Sequence, residues 1–142
     1  MRRVTALILL LGIAAVAYAL LTPERRRARE MRKVAVGTDA ARVAGVLGPP
    51  ADTCPTGSLD HLRTRFPVGT APAAMEQAIV RMQRETAERW VYPLKEGGRA
   101  GCVPAEGATE VGIDRRRRVL WYVPVTGHRP VEVPAGYLPA GT

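Results

Sequence analysis

Cys54, His61 and Cys102 carry the most reactive side chains in this sequence, and Asp60 stands directly before His61. A cysteine close to a histidine could act as nucleophile and base, because the thiolate attacks and an imidazole can take its proton. No surrounding motif supports that use. Two cysteines far apart in sequence also permit one disulfide, worth ~4 kcal/mol in the chain-entropy account. Two free or simply buried thiols are the plainer alternative. The histidines, His61 and His128, share no C-x-x-C or H-x-x-x-H spacing with the cysteines or each other, so no zinc set is expected. The carboxylates are scattered, and no glycine-rich loop follows a strand at phosphate-cradle spacing. The sequence argues for no cofactor and no catalytic role. A small thiol-dependent enzyme using Cys54 or Cys102 is the alternative.

Net charge is +8, but its location matters more than its size. Residues 1–33 carry eight basic side chains against two acidic ones, and residues 34–142 carry 13 against 11. The basicity therefore belongs to the N-terminal flank, which argues against the basic domain face that nucleic-acid binding needs. Arg115 to Arg118 form the one basic cluster left, read as a solvated turn.

Val4 to Leu21 is an uncharged, mostly apolar run of 18 residues. As a helix it would span ~27 Å, close to the thickness of a bilayer core. Ala17-Tyr18-Ala19 could be a signal-peptidase site, yet the apolar run continues past it. The preferred reading is an uncut single-pass anchor over residues 1–21. A basic linker over 22–33 follows, where Arg25, Arg26, Arg27, Arg29, Arg32 and Lys33 suit anionic lipid headgroups. That flank favours a cytoplasmic domain under the positive-inside rule, whereas Arg2-Arg3 and the paired cysteines favour an extracytoplasmic one.

The domain is expected over residues 34–133, with an irregular tail over 134–142. Asp39 is the natural N-cap of a helix whose apolar face is Ala40, Val43, Val46 and Leu47, and Gly48 with Pro49-Pro50 ends it. Residues 51–70 mix turn formers with a short amphipathic piece, Leu59 to Phe66. A second helix begins at Pro72, capped by Thr70 or Ala71, with Met75, Ala78, Ile79 and Met82 inward. Arg81–Glu85, Arg84–Glu88 and Glu85–Arg89 are its expected ion pairs. Strands follow at Arg89–Leu94, Thr109–Ile113 and Val119–Val123, with a loop over Lys95–Glu106 and a hairpin turn at Asp114–Arg118. A fourth short strand is possible at Pro130–Val133, after a Thr126-Gly127 turn. The predicted class is α+β: two helices on one face of a three- to four-stranded antiparallel meander. Trp90, Tyr92, Trp121 and Tyr122 alternate along that sheet, so at least one aromatic should reach an open face suited to binding a protein partner.

Gly37-x-Asp39-x-x-x-Val43-x-x-Val46-Leu47-Gly48-x-Pro50, then Trp90-x-Tyr92, then Val111-x-Ile113-Asp114 before Val119, resembles the SmpA/OmlA small proteins of outer-membrane β-barrel assembly. The β-lactamase-inhibitor-protein-like domains share that fold. The resemblance covers roughly residues 34–123, and its short motifs of caps, turns and core residues bear more on fold than on function. It implies a periplasmic, non-catalytic module that docks an envelope protein. This sequence departs from the pattern in three places. The lipidated cysteine is missing, the hairpin glycine is replaced by Arg117, and the second helix with the Cys54 region is enlarged. If the domain is outside, Cys54 and Cys102 are expected within disulfide reach, Cα atoms ~4.4–6.8 Å apart.

Overall fold

The structure is a computed structural model that describes residues 2–21, 23–93, 101–102, 108–124 and 130–139. The expected features at Leu94, Thr126-Gly127, His128 and most of the Lys95–Glu106 loop lie outside the described residues.

Two helices come first, α1 (Arg2–Leu21) and α2 (Pro23–Met31). On α1 the consecutive Ile8, Leu9, Leu10 and Leu11 are all exposed. At ~100° per residue four neighbours point in every direction around a helix, so no face of α1 is reserved for the domain. The side chains described on α1 are those of residues 8–18. Among the described residues no helix is long and apolar enough to cross a membrane.

Helix α3 (Ala40–Leu47) forms as its end signals require. Asp39 Oδ1 accepts the Ala41 N–H at 2.8 Å, and Gly48 takes φ 79° past the last turn. Ala40, Val43 and Leu47 are buried, but Val46, expected beside them, is 40% exposed. The next element was not legible: Asp52–Pro55 is a strand, β1. A 3-10 turn (Asp60–Arg65) and helix α4 (Pro72–Glu85) follow, then β2 (Thr86–Pro93), β3 (Ala108–Asp114) and β4 (Val119–Val123). Neighbours are antiparallel throughout, in the order β1-β2-β3-β4. The fourth strand is thus β1 and not Pro130–Val133, where Glu132 makes only an isolated bridge to Tyr122.

The two helices do not share a face, which corrects the expected layering. One core joins Met31, Val34, Ala40, Val43 and Leu47 to Trp90, Tyr92, Val111, Ile113, Val119 and Tyr122. The other joins Leu59, Leu62, Phe66, Ala78, Ile79 and Met82 to Leu120, Trp121 and Val123. Side chains alternate across a strand, so these two sets are opposite sides of one sheet. Helix α3 covers one side, and the 3-10 turn with α4 covers the other. The structure is α+β with both faces of a four-stranded antiparallel sheet buried.

Helix α4 stops at Glu85, earlier than the charge pattern suggested. Arg81 Nε and Glu85 Oε1 pair at 2.9 Å as expected. The other two predicted pairs do not form, because the chain is already strand at residues 88 and 89. Glu88 instead pairs with Arg117 from the β3–β4 turn. That turn is held by Asp114, whose Oδ1 accepts the N–H groups of Arg116 (2.8 Å) and Arg118 (2.9 Å). Arg117 adopts φ 61°. The turn does need a left-handed residue there and takes it without glycine, at a cost of ~1 kcal/mol. Beyond the expected domain end, Tyr137 packs into the second core, its ring facing the Arg81 guanidinium at 4.1 Å and its hydroxyl on Glu85. The residues after Pro134 are irregular but not all peripheral.

Candidate functional site

Cys54 pairs across the ladder with Arg89 at the β1–β2 seam, and Cys102 comes back to this point after β2. The two cysteines are bonded to each other, with Cα atoms 5.6 Å apart, inside the expected range. Cys54 is buried and both sulfurs are spent on the bond, so the thiol reading finds no thiolate here. Cys54 lies on a strand and not in a loop, and antiparallel pairing brings it close enough for the bond.

Beside the disulfide is a cluster that the sequence reading missed. Register places Arg89 opposite Gly112 and Val91 opposite Glu110, so Arg89 and Glu110 are diagonal neighbours on one face. Arg89 Nη1 donates to Glu110 Oε2 at 3.0 Å, and Arg89 Nη2 donates to the Cys102 carbonyl at 2.5 Å. His61, from the 3-10 turn, places Nε2 2.9 Å from the same carboxylate oxygen. Arg89 and Glu110 are buried, and His61 is partly so. His61 therefore partners a carboxylate and not a cysteine. Charged residues at alternate strand positions read as a solvent face when the helices are assigned to the other side. Coverage of both faces is what puts them inside.

Electrostatics favour an ionised Glu110. Burial pushes its carboxyl up, but the hydrogen bond and charge of His61, with the charge of Arg89, outweigh that and hold it below its usual 4.5. A folded pKa below the unfolded one means stabilisation that is present above pH 4.5 and lost as pH falls through the lower folded value. Domain stability should accordingly drop on acidification below about pH 4.5. Glu110→Gln should cost about 2 kcal/mol at neutral pH and flatten that acid limb. Urea titrations of both proteins across pH 3–7, about the range over which carboxyls titrate, check this. Parallel acid limbs would remove Glu110 as their source.

At least one of four aromatics was expected on an open sheet face, and none is there. Trp90, Tyr92, Trp121 and Tyr122 are 5%, 0%, 0% and 4% exposed. Trp90 and Tyr92 meet edge-on at 6.5 Å in the α3-side core. The Tyr92 hydroxyl donates to the Gly48 carbonyl, which ties the end of α3 to β2. Trp121 Nε1 donates to Thr86 Oγ1 at 2.9 Å, and that hydroxyl donates to the Met82 carbonyl at 2.6 Å. Tyr122 Oη reaches Glu132 at 2.7 Å. These residues build the domain, because no sheet face is open.

On the flank, Arg25, Arg26, Arg29, Arg32 and Lys33 are exposed, with Lys33 on Glu30 at 2.9 Å. The side chain of Arg27 lies outside the described residues. Among the described residues no group of three or more His, Cys, Asp or Glu is placed to hold a metal. Among the described residues, exposed surface lies on the flank, on the outer sides of α3 and α4 and on the turns.

No family model matches the chain, and comparison with curated proteins and with solved structures returns no significant match.

Proposed function

We propose that this chain is a membrane-tethered, non-catalytic envelope module, SmpA/OmlA-like in its role, that docks a protein partner outside the cytoplasm. The observation that carries the reading is α1, an apolar helix exposed in all directions, attached to a domain closed by a disulfide. A helix that is apolar all round needs an apolar solvent, and a bilayer supplies it. The Val4–Leu21 run has the length to span one. A disulfide is the ordinary chemistry of an oxidising compartment, which favours the domain outside. The exposed arginines after α1 then rest on lipid headgroups, each contributing ~1 kcal/mol. Of the quoted motif residues, Val43, Leu47, Trp90, Tyr92, Val111, Ile113 and Val119 meet in one core, while Val46 is exposed. That supports the resemblance as a packing scheme. Both sheet faces are covered, so the docking surface is sought elsewhere.

The test is retention of the full-length chain in membranes after alkaline extraction, with intact-mass measurement of its N-terminus. We expect a membrane-bound chain that keeps residues 1–21. A soluble protein starting at Tyr18 or Leu20 would reject the tether. A membrane-impermeant thiol reagent, applied to intact cells after a brief reduction, reports the side. Labelling only after lysis would place the domain inside.

A further inference from the structure

From the observations above, the structure assigns an acidic-segment docking cleft to the junction of α4 with the β3–β4 turn. It is an open cleft of about 480 Å³ lined by Arg84 and Glu85 of α4 and by Asp114, Arg115, Arg116 and Leu120 of the turn and its strands. Of the turn's arginines, Arg117 is used by the fold, on Glu88 and 5.4 Å from the Trp90 ring. Arg115 and Arg116 are exposed, and among the described residues neither guanidinium has an ionic partner. Arg84 has only a 3.7 Å approach to Glu85.

The two acids in the cleft offset part of this charge, and Glu85 is the one that approaches Arg84. Glu85 is held by Arg81 and by the Tyr137 hydroxyl. Asp114 spends an oxygen on two backbone N–H groups of its own turn. Arg115 and Arg116 therefore line the concavity without an ionic partner among the described residues, which an anionic occupant would supply. Guanidinium forks match carboxylates in bidentate geometry.

The cleft's size and floor select among anions. It is far larger than one inorganic phosphate, and Leu120 adds one apolar side chain to its lining, suited to an aliphatic stem. The domain outside the flank is nearly charge-balanced, which argues against a nucleic-acid occupant. A flat bilayer surface meets convex basic faces better than a concave one. The occupant is an extended protein segment in which acidic and aliphatic residues alternate. This rests on the docking-module reading for the class of partner, and supplies the surface that the buried sheet does not.

The test uses the full-length chain in phosphatidylcholine nanodiscs and a fluorescent peptide of alternating Glu and Leu, read by anisotropy. Saturable binding is expected, weakened at least about tenfold in Arg115→Ser/Arg116→Ser and lost at about 0.5 M salt. Arg26→Ser/Arg29→Ser should leave it within about twofold, and both variants should keep the wild-type unfolding midpoint. Equal peptide binding by the Arg115→Ser/Arg116→Ser protein would overturn the assignment. So would displacement of the peptide by inorganic phosphate or phosphatidylglycerol vesicles as effective as unlabelled peptide, since the cleft would then be reading phosphate. Binding is read in a preformed disc, so its failure leaves the membrane-retention result standing by itself.

Discussion

Gly112→Ala is expected to destabilise the domain by about 3 to 5 kcal/mol, more than most single-methyl additions. Gly112 stands opposite Trp121 in the β3–β4 ladder, with the indole laid across it. A Cβ there would overlap Nε1 and Cε2 of the ring and lie 2.7 Å from Cδ1. The ring cannot swing away freely, being fully buried with its N–H committed to Thr86. Overpacking of this kind costs about 1 to 3 kcal/mol, and a displaced indole leaves a buried donor unpaired for about as much again. Chemical denaturation of Gly112→Ala, Trp121→Leu and the double variant measures the coupling. The alanine should cost little once the indole is gone. A Gly112→Ala protein within about 1 kcal/mol of wild type would mean the strand pair relaxes at little expense.

Removing the disulfide should be comparably severe. The bond closes 48 residues of chain, and the loop-entropy relation then gives about 4 kcal/mol for Cys54→Ser/Cys102→Ser. The loss should fall first on β1, a four-residue edge strand with little besides β2 to hold it. Arg89 would also lose its fixed carbonyl partner at Cys102. Urea midpoints with and without reductant, together with hydrogen exchange at Thr53 and Cys54, test both parts. An unchanged midpoint on full reduction would show that pairing with β2 alone secures the edge.

Much of this architecture could be read in the sequence where the signals are local. Asp39 and Gly48 mark the ends of α3 because a cap and a left-handed residue act within one turn. The strands β2 to β4 were visible through their alternation, and the Asp114–Arg118 turn through its length. What stayed hidden depends on contacts distant in sequence. Strand β1 is short, ends at Pro55 and exists through Arg89 and Cys102, which no window of neighbouring residues contains. The Leu59–Phe66 piece gave no hint of which side of the sheet it covers. Without that, Arg89 was paired with Glu85 and not with Glu110, and at least one aromatic was expected on an open face. Arg117 shows the opposite case. The missing glycine cast doubt on the hairpin, yet Asp114's two accepted N–H groups hold the turn regardless.

The junction at Met31 has a mechanical consequence. This last residue of α2 is 2% exposed, Val34 is 4% exposed, and both belong to the α3-side core. The stretch expected as a mere linker is thus rooted in the folded body. Its nine-residue helix rises about 14 Å. With α1 in a bilayer as proposed, α2 acts as a stalk and not a leash. It sets how far the domain stands off the lipid, and Met31 fixes the direction in which α2 leaves the domain. A partner on the same membrane would then meet one face of the domain repeatedly, without a search over orientations. The effective concentration of that face would be set by stalk length and not by linker wandering. Replacing residues 24–30 with a flexible glycine-serine segment, leaving Met31 in its core, would keep the anchor and the fold while discarding that aim.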